Sequence, residues 1–391
     1  YNRDFRRLVI FVGAATLVNL VIAGQISYSA VNYMDSVTFC GQTCHTVMKP
    51  EFVAYQNSPH SRVECVKCHI GPGASWFVRS KFSGVGQVFA VAFNTYSRPI
   101  PTPVHNLRPA RDTCETCHWP QKFGGDRLRV IDNFAEDETN TLTQTVLLMH
   151  IGGGKGGPGI HGKHLGPGVV ITYTPSDESR QTIPWVDYKD SQGNMTSYAA
   201  ADAKPDARKG LPAREMDCMD CHNRPSHAYA LPDRAVNLAM SAGDISPDLP
   251  FIKKKALELL KATYPSEEAA EAAISAAAEK YYQESYPDIF KNRLPDIRSS
   301  AGQIAAIHNR NIFPEMKVTW GTYPNNIGHT DFPGCFRCHD EQHTSASGAT
   351  VTQDCGACHE MLAMDEAAPK ILFDLGLETV RSRPLPAPTA K

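Results

Sequence analysis

Six cysteine pairs, each followed at once by a histidine, constrain this chain more than any other feature. Five read C-x-x-C-H: Cys65/Cys68/His69, Cys114/Cys117/His118, Cys218/Cys221/His222, Cys335/Cys338/His339 and Cys355/Cys358/His359. The first holds one more residue between its thiols: Cys40, Gly41, Gln42, Thr43, Cys44, His45. The pairs use all 12 cysteines, and with 15 His in 391 residues a His after every pair is not chance. The spacing is the attachment signature of c-type haem. Two thiols bond the vinyl groups of one porphyrin, and the next residue turns its imidazole to the iron from the same side. A short helical turn does both. Zinc ribbons use two C-x-x-C pairs per metal and need no following His, and disulfides do not explain the His either. Six covalently bound haem c groups are therefore expected, with His45, His69, His118, His222, His339 and His359 as proximal ligands.

Charge narrows the partners. Lys and Arg number 39 against 41 Asp and Glu, a net charge of −2, so there is no basic excess to neutralise phosphates and nucleic acid is not expected. The chain is 42% hydrophobic and 20% charged, which argues against general disorder. The propionates of six haems add negative charge, for which the Lys and Arg side chains are natural partners.

Leu8–Ala23 is apolar except for Asn19, and the run continues more weakly to Val31. About 20 residues span a bilayer core, so this is a transmembrane helix in expectation. Arg3, Arg6 and Arg7 precede it and place its start in the cytoplasm. The haem-bearing chain then lies in the periplasm, with a single anchor in a bacterial inner membrane. A cleaved leader is the alternative, but Ser27-Tyr28-Ser29 is a weak small-x-small site. Phe82, Val85, Val88/Phe89 and Ala92/Phe93 recur at helical spacing after Trp76, Phe77, Arg79 and Lys81. They read as an amphipathic helix in the membrane interface or as an ordinary helix over the haem core.

The expected organisation is an anchor at 1–35, a multihaem domain at 36–230 and a helical domain at 231–380 bearing sites 5 and 6. A Pro-rich tail follows at 381–391. The multihaem domain contains a Gly-rich and β insert at about 125–210. Within it Gly152–Gly168 reads as a loop, and Val169–Thr174 and Trp185–Tyr188 as short strands. Pro250–Tyr264, Ser266–Tyr282 and Ser299–His308 read as helices, the second opened by Ser266. Gly157-Pro-Gly-Ile-His-Gly162-Lys163 copies the start of a phosphate-binding loop, but His164 stands where Ser or Thr is needed. With 391 residues shared among six haems, the porphyrins are expected to supply much of the core. The fold class is then mainly α, with long irregular connections and few short strands.

Nine His lie outside the motifs: His60, His105, His150, His161, His164, His227, His308, His329 and His343. Such a surplus favours bis-His, low-spin iron, which carries electrons and offers no open coordination position. His60 and His227 lead as distal ligands. At least one of His150, His161 and His164 should serve. His343 is too near its own motif and would serve site 6.

The order anchor, Cys44-His45, Met48-Lys-Pro, Tyr55-Gln-Asn-Ser-Pro-His60, Cys65-Val-Lys-Cys-His69, then an aromatic and basic helix, resembles the NapC/NirT/NrfH family of membrane-anchored multihaem quinol dehydrogenases. Arg111-Asp-Thr-Cys114-Glu-Thr-Cys117-His118-Trp119-Pro is similar to its third-haem segment. The resemblance covers roughly residues 5–125. It implies Met48 as the distal ligand of the first haem, and Lys81 as a contact for menaquinol or ubiquinol. Some members carry an acidic residue about two turns beyond that Lys, where this helix has Gln87 and Val88. Two roles stay open. One is a carrier from the quinone pool to a periplasmic redox partner. The other is an electron-transfer subunit of a larger membrane complex with no quinone site of its own. A catalytic haem reductase is less favoured, since no C-x-x-C-K motif occurs.

Overall fold

The computed structural model describes residues 2–43, 45–104, 107–118, 124–152 and 157–377. Cys44, His105 and the Pro-rich tail at 381–391 lie outside them. By packing the chain divides into two compact units, Tyr1–Tyr96 and Ser97–Lys391. The described chain is mostly helical, with two sheets and one N-terminal apolar helix.

In the first unit, α1 (Arg3–Met34) is 32 residues long, with a mean hydropathy of 2.1 over its most apolar stretch and no residue of that stretch buried. At ~1.5 Å per residue it is about 48 Å long, enough to cross a ~30 Å hydrocarbon core. Asn2 caps it through Asp4 N–H, and Asp35 ends it. α2 (His45–Gln56), α3 (Cys65–His69) and α4 (Ala74–Ala92) follow. Phe82, Val85, Val88, Phe89 and Phe93 on or just after α4 are all exposed, so the apolar stripe read from the sequence covers no protein core.

The second unit begins with α5 (Ala110–Cys114) and a hairpin of β1 (Gly125–Phe134) and β2 (Leu142–Gly152). Strands of this length were not expected. Where the Gly-rich loop was read, α6 (Gly159–Leu165) forms. Four of its seven residues are Ile160, His161, Lys163 and Leu165, and Gly166 ends it. Then come β3 (Val170–Thr174), β4 (Trp185–Lys189), β5 (Met195–Ala199), β6 (Arg214–Glu215) and α7 (Cys218–Cys221).

α8 (Pro232–Ala242), α9 (Ile252–Lys261), α10 (Glu267–Ser285) and α11 (Pro287–Asn311) pack together. Ser266 Oγ accepts from Ala269 N–H at 3.1 Å and opens α10, as its sequence signals. Gly243, at φ 85°, closes α8 in the left-handed conformation that glycine adopts freely. α11 starts well before the expected Ser299. It kinks at Arg293, since Pro295 lacks an N–H and crowds the preceding turn. Ile274, Ile297, Ile304 and Ile307 are fully buried here. Residues 231–311 carry no cysteine pair and bury their own aliphatic rows. Ile304→Ala is expected to cost about 2–5 kcal/mol of stability, read by thermal unfolding, with the haem spectrum of the folded protein unchanged.

The chain then returns to the sheets. β7 (Thr344–Ser345) joins β5, and β8 (His359–Glu366) joins β2, before α12 (Lys370–Asp374). The strand orders are β1-β2-β8 and β6-β3-β4-β5-β7. The last two motifs are therefore tied to strands of 142–199. The hairpin and the helical layer meet at Asn140, whose Nδ2 donates to the carbonyls of Pro247 and Leu249.

Candidate functional site

The cysteine motifs form helical turns. α3 carries the second, α5 ends on Cys114, and α7 spans Cys218–Cys221. Short 3₁₀ turns hold Gly334–Arg337 and Cys355–Ala357. The wider first motif lies on a π-helical turn, Phe39–Thr43. A π turn takes in one more residue than an α turn, so the extra residue between Cys40 and Cys44 is absorbed there. Gly41 is required, because a Cβ at that position would fall onto the Phe52 ring. At the fourth motif Asp217 and Asp220 form a reciprocal capping box.

Folding brings the motifs together. The Cys40 thiol hydrogen-bonds Cys65, and that bond is the largest influence lowering Cys65 to about 7, against its burial. Cys218 is likewise lowered to about 7, first by its bond to the Cys114 thiol. Sites 1 and 2 are thus neighbours. So are sites 3 and 4, although about 100 residues separate them in sequence. A cavity of about 410 Å³ bounded by Val37, Phe52, Tyr55, Arg62 and Glu64 lies between the chain before the first motif and the chain before the second.

Three motif histidines face a second histidine. The ring centroids of His161 and His222 are 6.4 Å apart, those of His164 and His339 5.8 Å, and those of His329 and His359 6.3 Å. An iron between two imidazoles has each nitrogen about 2 Å away and the ring centre about 1 Å beyond, which sets the centroids roughly 6 Å apart. Several rings are already oriented. His339 Nδ1 donates to the Thr352 carbonyl at 2.7 Å, and His164 Nδ1 to the Ile160 carbonyl at 2.8 Å. A carbonyl only accepts, so each bond fixes the tautomer and leaves Nε2 for a metal. Burial lowers the pKa of His161, His164, His222 and His359, which favours the neutral form a ligand needs.

The other candidates fall out as follows. His150 Nδ1 is held by Asp126 at 3.1 Å, and its backbone N–H donates to the Cys358 carbonyl, beside site 6. His60 lies in the tight turn between α2 and α3, where its N–H meets Ser58 Oγ. Met48 is half-buried on α2, one turn beyond His45, whose side chain is outside the described residues. His227 offers its carbonyl to Arg224 Nε. The ring facing His222 is His161, and His227 does not hold that place. His343 Nδ1 bonds Asp340 at 2.8 Å and Nε2 bonds the Ile183 carbonyl at 2.7 Å, so both ring nitrogens have protein partners. It is His329 whose ring faces His359, at 6.3 Å between centroids. His308 is buried on α11 with its ring edge-on to Tyr264 at 5.1 Å and Nδ1 on Asn309, the surroundings of a core histidine.

Lys81 points back to the end of α1. Its Nζ makes an ion pair with Asp35 at 2.5 Å and lies 4.8 Å from the Phe77 ring centre. Both partners are about a quarter to a third exposed. Cys40 is raised first by its bond to Cys65, then by burial, and both Asp35 and Lys81 act on it, in opposite senses. A carboxylate from another element thus stands beside Lys81. Sequence reasoning missed Asp35 because 46 residues separate the partners. Its only signal was an acid directly after a membrane-length apolar run.

The donor set fits haem better than a bare metal. Among the described residues no group of three or more His, Cys, Asp or Glu is arranged to chelate an ion. Pairs of imidazoles suit iron whose remaining ligands come from a porphyrin. His359 Nδ1 is buried without a partner among the described residues, a ring nitrogen left for a bound group. Known proteins agree. A family described as the NapC/NirT cytochrome c family, N-terminal region, matches residues 3–100. The cytochrome c-type protein ImcH of Geobacter sulfurreducens is 45% identical over 360 residues, covering 91% of this chain and 71% of that protein. No solved structure matches.

Proposed function

The chain belongs to the NapC/NirT cytochrome c family, and from that premise we propose that it is a membrane-anchored six-haem electron carrier fed by quinol. It delivers electrons to a periplasmic acceptor or partner protein. The observation that carries this reading is the Lys81–Asp35 pair at the foot of α1, within electrostatic reach of Cys40. α1 anchors the chain in the bacterial inner membrane, and the exposed apolar stripe of α4 lies in the interface. A quinol arriving from the bilayer meets charge there.

Haem c, when bound, supplies a one-electron couple, so a quinol's two electrons leave singly. Its two protons fall to the chain. Lys81 Nζ donates to a quinol oxygen and orients it. Asp35 accepts one hydroxyl proton, passes it to solvent through the exposed edge it shares with Lys81, and then accepts the second in the same way. Cys40, Cys44, Cys65, Cys68, Cys114, Cys117, Cys218, Cys221, Cys335, Cys338, Cys355 and Cys358 hold the porphyrins. The facing pairs His161/His222, His164/His339 and His329/His359 would hold the irons at sites 4 to 6. That favours a carrier over a catalytic reductase, which needs an open iron face.

The test is reduction of the detergent-purified protein by a menaquinol analogue. Prompt appearance of ferrous haem bands is expected. If only dithionite reduces it, electrons enter from a partner subunit instead. Met48, three residues beyond His45, is assigned as distal ligand of the first haem; a thioether favours ferrous iron more than imidazole does. Met48→His is therefore expected to lower one of six midpoint potentials and leave five, measured by spectroelectrochemistry.

A further inference from the structure

The fourth and fifth motifs are 117 residues apart at their first cysteines, Cys218 and Cys335, yet one side chain joins them. Arg337, inside the fifth motif, donates from Nη2 to the carbonyl of Asp220, inside the fourth, at 2.6 Å. Its Nε donates to the Gly334 carbonyl at 2.9 Å and its Nη1 to the Arg180 carbonyl at 2.7 Å. All three acceptors are backbone, so no carboxylate neutralises the guanidinium through these bonds.

The receiving side is built to be rigid. Asp220 is 3% exposed. Its carboxylate takes Arg214 Nε at 2.9 Å, the Tyr173 hydroxyl and the Asp217 N–H, with Arg180 3.7 Å away. Its carbonyl also accepts from Asn326 Nδ2 at 3.1 Å.

We propose that Arg337 is the positioning residue of a coupled haem pair at sites 4 and 5, pinning the two motifs together and lending both haems one shared positive charge. The proposal rests on the six-haem reading. A ferrous haem carries one positive charge fewer than a ferric one, so a nearby cation favours reduction. Sites 4 and 5 then form a step of raised potential. With the Cys114 thiol bonded to Cys218, the order through sites 3 to 5 is 3–4–5.

Arg337→Gln and Arg337→Lys separate brace from charge. Each variant is titrated electrochemically, and its Soret circular dichroism is recorded for interhaem coupling. Arg337→Gln should retain six haems. Two of the six components should fall by about tenfold in their reduction equilibrium, ~59 mV for one electron, and the bisignate Soret signal should weaken. Arg337→Lys should keep the potentials and lose part of the coupling, because an ammonium cannot span three carbonyls in a fixed fork. Six haems with unaltered potentials in Arg337→Gln would overturn the proposal. If Arg337→Gln fails to load haem, Arg337→Lys decides: an unchanged Soret couplet overturns it. A wild-type protein with fewer than six haems refutes the underlying reading instead.

Discussion

Asp35→Asn is expected to slow reduction of the protein by a quinol about 10²–10³-fold while leaving reduction by dithionite complete, since a positioned proton acceptor contributes on that scale. Asn keeps the size and the capacity to accept a bond from Lys81, but it does not take up a proton. Lys81→Ala should also slow the reaction, chiefly by raising the quinol concentration needed for half-maximal rate. Loss of the ion pair itself has a small structural effect, because partly exposed pairs contribute ~0–1 kcal/mol. Stopped-flow reduction at several quinol concentrations separates the two variants. Equal rates for wild type and Asp35→Asn would remove Asp35 as acceptor.

His164→Ala is expected to open one iron of six. The oxidised protein should gain one high-spin haem by electron paramagnetic resonance, and the reduced protein should bind about one equivalent of carbon monoxide per chain. His329→Ala should do the same at a different haem. His343→Ala and His308→Ala are the contrast. Each removes a buried, bonded ring and should cost about 1–3 kcal/mol of stability while all six haems stay low-spin. High-spin iron in His343→Ala would restore that residue as a ligand.

The motifs were fully legible in the sequence because covalent attachment needs two thiols and an imidazole within one helical turn, whatever the rest of the fold does. α1 was legible from length and apolarity, and α10 from its Ser266 cap and alanine content. The facing histidine pairs were legible only as a pool of candidates, since their members come from distant elements: His161 and His164 both lie on α6, in a stretch whose glycines read as loop. Only the tertiary arrangement brings that helix beside motifs four and five. His308 and His343 show the converse. A histidine count treats a core ring and a twice-bonded ring as spare ligands. Asp35 was hidden for the same reason as α6. The helical layer of 231–311 was recognised as helix, but its self-packed aliphatic core was not, because periodicity shows an apolar face without showing what covers it.

The most direct measurement is the intact mass of the protein purified from membranes, with the haem content per chain from its pyridine haemochrome. Six covalently bound haems on every chain, with no free thiol, is the result expected. A chain carrying fewer, or one whose cysteines alkylate freely or pair as disulfides, would contradict the account.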